Sequence, residues 1–360
     1  MDRLDRETLE GLLDARDVGT LTYDRMRELF EREIRACLPD GRYRVDPRND
    51  DRVVFNRARA RRPHDNRPAP DRNDCIVCHG RLTRVVDVAD LGEGFTFINK
   101  NLYPAMHPLP VGGVPADERC FGLHFLQWTS SLHERDWHNM PLADRTVVVD
   151  RLARLERTLL EGARSEMPDN RAWGDEAATA GFVLAMKNYS HLVGGSILHG
   201  HQQIGFTNVM PRRFLDNLRF ERRHGEKYTA FILRENPGSL VVADYGPATL
   251  LVPCFMRRPY DMQLVLKDPG PRYLHQLSAE ERAAVAEGWA DGIRAMRDVM
   301  PAMGRPVAYN VVTHTGPGAG VYLEFLPYTQ EMGGFEQMGL FVSQASPDEA
   351  AARLREAVGR

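Results

Sequence analysis

This sequence has no run of 18 or more apolar residues, which excludes an ordinary membrane-spanning helix. Its first residues, Met1 to Arg16, carry charges throughout and lack the apolar centre of a secretory leader, so a cytoplasmic location is the expectation. Cysteine is scarce, at 5 residues in 360. An odd count in a reducing compartment argues against a disulfide framework. Charge of neither sign dominates: 47 Lys and Arg stand against 50 Asp and Glu, a formal net charge of −3. No broad basic field exists to recruit nucleic acid. What remains is an ordinary soluble composition, 42% hydrophobic and 27% charged, in a chain long enough for a large core.

The most informative stretch runs from Asn188 to Gln203, with the glycine loop Gly194-Gly195-Ser196 followed by His199-Gly200-His201-Gln202-Gln203. On a strand, residues i and i+2 share a face, so His199, His201 and Gln203 fall on one side. Glycines let a backbone approach a bulky anion closely and offer it N–H groups. A phosphate seated on that loop would lie in reach of a histidine, the arrangement needed for phosphoryl or nucleotidyl transfer. The ordinary alternative is a pair of half-exposed strand histidines.

Cys75-Ile76-Val77-Cys78 can supply two corners of a tetrahedral zinc site. The flanking Pro-, Asp- and Asn-rich segment offers no βαβ context for a redox pair. There is no second CxxC, so histidines or carboxylates must complete the set. His79, His107, His124, His133, His138 and His199 are candidates, and spacing does not choose among them.

Hydrophobic periodicity predicts helices over 6–15, 23–37, 142–167, 277–300 and 347–358. Ser278 is placed to cap the fourth, with Glu280 and Glu281 in its first turn. Strands are expected at 52–56, 95–99, 181–187, 231–235, 239–244, 248–253, 307–312 and 321–326. Residues 39–74 otherwise read as extended loop. A loose repeat is visible: 125–155 resembles 262–292, and 186–206 corresponds to 308–328. In the second copy, Tyr322-Leu323-Glu324 replaces the histidine motif.

Together these motifs resemble the galactose-1-phosphate uridylyltransferase family of the histidine-triad superfamily. The resemblance rests on Arg59-Ala60-Arg61-Arg62-Pro63, Cys75-X-X-Cys78, Phe97-Ile98-Asn99, Asn188, Gly194-X-Ser196 and His199-X-His201-X-Gln203, with a weaker echo at Met332-Gly333-Gly334-Phe335-Glu336. It covers residue 50 to the end. It implies an α+β fold: a duplicated histidine-triad-like unit with an antiparallel half-barrel sheet flanked by helices. The corresponding division is an N-terminal helical extension (1–45), a first repeat bearing the zinc site and nucleophile (46–225), and a second, degenerate repeat (226–360).

The same resemblance implies a function. His201 would attack the α-phosphorus of a nucleoside-diphosphate sugar and form a nucleotidyl-histidine, which a sugar 1-phosphate then discharges. Gln203 would hydrogen-bond a phosphate oxygen of the intermediate, where hydrolase relatives carry a third histidine. Arg59, Arg62, Gly194 and Ser196 would face phosphate charge, Asn99 and Asn188 the nucleotide, and Glu336 a sugar hydroxyl. Cys75, Cys78, His133 and His199 would hold a structural zinc, with His138 an alternative to His133. A homodimer with a shared active site is implied, with neither nucleic acid nor membrane as partner. Where some members hold a second metal, this chain has Asn217, His314, Tyr322 and Glu324, and that site is expected to be absent. Two other readings stand beside this one: a phosphorylase using the same intermediate, and a zinc-stabilised nucleotide-binding protein without turnover.

Overall fold

The computed structural model describes residues 3–34, 37–61, 74–162 and 181–359. Ten strands form one antiparallel sheet: β3 (Val85–Asp90), β4 (Phe95–Lys100), β5 (Gly122–Trp128), β6 (Phe182–Tyr189), β7 (His201–Thr207), β8 (Val241–Asp244), β9 (Ala248–Leu251), β10 (Met262–Leu266), β11 (Tyr309–His314) and β12 (Tyr322–Pro327). Two further strands, β1 (Arg42–Val45) and β2 (Arg52–Phe55), pair in a separate ribbon. The alternation Arg42-Tyr43-Arg44-Val45 therefore supplies a strand inside the segment expected to hold only one.

The sheet order is β3-β4-β5-β7-β6-β11-β12-β10-β9-β8. From its outer edge inward the first half reads β3, β4, β5, β7, β6, and the second half reads β8, β9, β10, β12, β11. The two orders match position for position, in accord with the repeat seen in the sequence. The sheet stays open, and β6 and β11 join the halves.

The helices are α1 (Arg6–Leu12), α2 (Tyr23–Ile34), α3 (Leu142–Gly162), α4 (Arg212–His224), α5 (Tyr228–Glu235), α6 (Ala279–Ala302), α7 (Gly334–Gln337) and α8 (Pro347–Val358). Helix α6 opens with the expected cap: Ser278 accepts from the Glu281 N–H, and the Glu281 carboxylate returns to the Ser278 N–H. Residues 231–235 are helical rather than extended. The buried side chains of α5 are Thr229 and Ile232, three residues apart, which is helical spacing. Phe231-Ile232-Leu233 is too short an apolar run to distinguish the two periods.

Alternation along β7 sorts the two sheet faces. Ile204 and Phe206 join the main core with Val148 and Leu152 of α3, Ile293 and Met296 of α6, and Tyr23 and Phe30 of α2. His201 and Gln203 point the other way. Helix α2 is locked from beneath by Lys100, a fully buried lysine whose ammonium lies 3.0 Å from Asp14 and 2.6 Å from Glu33. The N-terminal helices are thus bonded into the first half of the sheet.

Candidate active site

Cys75, Cys78, His133 and His199 present ligand atoms that all lie within 4.8 Å of one another. Cys75 Sγ is 3.6 Å from His199 Nδ1, and Cys78 Sγ is 3.5 Å from His133 Nδ1 and 3.7 Å from His199 Nδ1. Zinc bond lengths in a tetrahedron give a sulfur–nitrogen edge of about 3.6 Å. The cluster therefore has the spacing of four ligands around one cation. His199 Nε2 donates to the Ser130 carbonyl at 2.8 Å, which puts the Nδ1 lone pair toward the cysteines. Burial pushes the His199 imidazole down to about 4, so it is neutral, as a ligand must be. His133, not His138, joins the cluster. His138 is half-buried elsewhere, with its Nδ1 unbonded among the described residues.

Two residues beyond His199, His201 begins β7. Its Nδ1 lies 2.8 Å from the His199 carbonyl, a contact satisfied only when Nδ1 carries the proton. Nε2 is then the nitrogen with the lone pair, the state required for attack at phosphorus. Trp128, the cross-strand partner on β5, packs against the imidazole with ring centroids 4.9 Å apart. The Trp128 indole N–H is tied in turn to Asn99 Oδ1 at 2.8 Å. A pocket of about 540 Å³ opens here, lined by Asn99, Trp128, Ser196, His201 and Gln203 together with His133 and His199.

The loop feeding this strand is tightly folded. Ser190 has φ +86°, a conformation costly for a residue with a Cβ, and Gly194 also has φ +86°. The Gly194 N–H donates to the His191 carbonyl, and the Gly195 N–H to the Ser190 carbonyl. Those donors are spent inside the loop, and Ser196, Ile197 and Leu198 are the loop residues that line the pocket. A Cβ at Gly195 would meet the Asn188 carbonyl at 2.7 Å. At Gly200 a Cβ would lie 2.5 Å from Thr129 Oγ1 and 2.7 Å from Asp136 Cγ. Only glycine fits between the two histidines.

Beneath β7 sits a polar layer that the sequence reading missed. Lys187 and Asp136, both buried, pair at 2.8 Å, and the Lys187 ammonium also donates to the His201 carbonyl at 3.2 Å. Asp136 accepts from Thr129 Oγ1 and the Trp137 N–H. Burial opposes its charge, but the Lys187 ammonium and these donors outweigh that and hold its carboxyl below the usual range. Gln202 accepts from the Trp137 indole and donates to Gln127. The available signal was the lone lysine at 187, directly after the apolar run Phe182–Met186.

Other expected residues lie apart from this pocket. Asn188 is bonded to Asn310 at 2.8 Å, at the junction of the two halves. Arg59 sits in a short turn, its N–H donating to Asn56. The Glu336 carboxylate accepts from the Gly333 and Val342 N–H groups, capping its own turn. Arg59 and Glu336 do not line the His201 pocket, and Arg62 lies outside the described residues.

Fold and site together define a class: a duplicated α+β sheet bearing a Cys2His2 cluster beside an oriented histidine. No protein-family model matches this sequence. The chain is 22% identical over 342 residues to an ADP-glucose phosphorylase of Arabidopsis thaliana, spanning 87% of this chain and 92% of that protein. Among solved structures, a uridylyltransferase matches with a TM-score of 0.68 at 20% identity, over 88% of this chain and 98% of its own. An ADP-glucose phosphorylase from Arabidopsis thaliana, solved with ADP-glucose bound, matches at 0.62 and 19% identity, over 87% and 97%. The chain shares the fold of these solved structures, as its motifs implied.

Proposed function

We propose that this protein is a nucleotidyltransferase that moves a nucleoside monophosphate from a nucleoside-diphosphate sugar through a covalent nucleotidyl-histidine. The observation that carries this reading is the His201 Nδ1 contact to the His199 carbonyl, which leaves the Nε2 lone pair for phosphorus. In the first half-reaction, His201 Nε2 bonds to the α-phosphorus. The bond from that phosphorus to the bridging oxygen breaks, and sugar 1-phosphate departs with the electron pair. In the second, an acceptor phosphate oxygen attacks the same phosphorus and His201 leaves as a neutral imidazole. The departing phosphate needs no general acid, which suits a glutamine rather than a histidine at 203. Gln203 steadies the transferred phosphoryl oxygens.

The Cys75, Cys78, His133 and His199 cluster suits zinc, whose work here is structural: it rigidifies the strand start that positions His201. We place Arg59, Arg62 and Glu336 at the site of a second copy in a homodimer. Arg59 and Glu336 line no part of the His201 pocket in their own chain, which supports that placement.

The first acceptor to consider is a sugar 1-phosphate, with UMP as the group transferred. The likeness to an ADP-glucose phosphorylase favours a second: inorganic phosphate, releasing a nucleoside diphosphate. Turnover of UDP-glucose and ADP-glucose, each with galactose 1-phosphate or inorganic phosphate, separates the two. A new nucleotide sugar supports uridylyl transfer, and a nucleoside diphosphate supports phosphorolysis. Tight binding of both donors without turnover under any pairing contradicts the enzyme reading and leaves a nucleotide-binding protein.

A further inference from the structure

A second pocket, of about 480 Å³, lies between helix α4 and strands β10 and β12. Register connects it to the first. Gln203 on β7 opposes Met186 on β6, Met186 opposes Val312 on β11, Val312 opposes Glu324 on β12, and Glu324 opposes Gln263 on β10. Directly opposed partners share a face. Glu324 therefore stands on the same open face as Gln203, three strand spacings or about 14 Å away. This is the place in the second half that the His201 pocket holds in the first.

Its carboxylates are already engaged. Glu324 accepts from His314 Nε2 at 2.7 Å, Asp261 pairs with Arg258 at 3.5 Å, and Asp216 with Arg212 at 3.6 Å. Two guanidiniums on the wall are not so engaged. Arg213 is partly buried and has no hydrogen bond or ion pair among the described residues. Arg257 stacks over the Phe341 ring at 5.0 Å and likewise has no anionic partner there. The charge of Glu324 reaches both. Their mutual hydrogen bond accounts for Glu324 and His314, but not for two arginines on the wall of an open cavity. Asp261, only 6% exposed, also lines the pocket; its Oδ1 stands 3.5 Å from Arg258 Nε, an ion pair without a hydrogen bond, and has no hydrogen bond among the described residues. Phe220, Phe255 and Phe341 give the rest of the wall an aromatic part, beside the aliphatic Met262, Leu326 and Met332.

We propose that this pocket is a second ligand site, taking a compact organic phosphate of nucleoside monophosphate size. Arg213 and Arg257 clamp the phosphate as forked donors, the aromatic wall holds the flat ring, and Asp261 Oδ1 accepts from a ligand hydroxyl. The site is independent of covalent chemistry at His201.

Isothermal titration with UMP, AMP and inorganic phosphate tests it, on the wild-type chain and on Arg213→Ala, Arg257→Ala and Gln203→Ala. Arg257 is exposed, so its replacement leaves folding intact, and thermal unfolding checks both arginine variants. The expectation is a binding event for at least one nucleoside monophosphate that survives Gln203→Ala and weakens about tenfold or more in each arginine variant. Wild-type affinity and stoichiometry for all three probes in both folded arginine variants overturn the proposal. An Arg213-dependent event in a protein that never forms a His201 adduct would uphold this pocket and reject the proposed function, so the two failures are distinct.

Discussion

Strands β7 and β12 occupy matching places in the two halves of the sheet, yet their chemistry diverges completely. On β7 the open face carries His201 and Gln203; on β12 it carries Tyr322 and Glu324. His201 commits Nδ1 to a main-chain carbonyl and turns its other nitrogen to a pocket. In the second half, His314 commits Nε2 to Glu324 and stacks on Tyr322 with centroids 4.3 Å apart. The undersides differ too. Below β7 lies the Lys187–Asp136 pair with Gln127 and Gln202; below β12, Leu264 and Phe325 press against the glycines of α6 at 288 and 292. One backbone plan serves two purposes, and the side chains carried on the open face of each half set them apart.

The largest expected effect breaks this asymmetry. His201→Ala should lower transfer by about 10³-fold or more while retaining bound zinc. Glu324→Gln should change turnover less than about twofold, because nothing on β12 enters the chemistry. Steady-state rates with metal content checked by atomic absorption would show it. Next comes the shared site. Mixing inactive Arg59→Ala and His201→Ala chains and letting them exchange should restore about a quarter of wild-type activity, since mixed dimers carry one intact site. No recovery after demonstrated exchange would place Arg59 in its own chain's site.

Beneath β7, Lys187→Met leaves the Asp136 carboxylate buried without its cation, and unfolding should be easier by about 3–5 kcal/mol. Lys187→Met with Asp136→Asn should recover part of that loss in denaturant titrations. Gly200→Ala drives a methyl into Thr129 and Asp136 and should cost about 1–3 kcal/mol. The smallest effect concerns β12 and pH. Burial opposes the Glu324 charge, but the His314 hydrogen bond and the Arg213 and Arg257 charges prevail and hold its carboxyl down to about 2. A depressed carboxyl contributes stability at and above its ordinary value of 4.5, and that contribution fades as pH falls toward 2. Replacing it by glutamine should flatten the acid limb of the stability curve by about 1–3 kcal/mol, and identical curves would refute the assignment.

Much of the first site was legible because its residues are close in sequence. His199, His201 and Gln203 share one strand entry, and Cys75-X-X-Cys78 has the spacing of two metal ligands. The third ligand was not legible in that way, since His133 and His138 sit in the same turn-rich segment and only the fold separates them. The Lys187–Asp136 pair stayed hidden for a similar reason: its partners are 51 positions apart and their contact depends on sheet topology. Glycines in a loop suggest a source of N–H donors, but the tight turns here spend those of Gly194 and Gly195 internally. Local pattern reveals which groups are present; it does not reveal which of their hydrogen-bonding atoms the fold consumes.

The most direct measurement is the intact mass of the protein after brief incubation with a nucleoside-diphosphate sugar and no acceptor. The account predicts a gain of one nucleoside monophosphate, mapped by peptide sequencing to His201 and discharged by the acceptor. A His201→Ala chain that turns over at the wild-type rate, or an adduct residing on any other side chain, would contradict it.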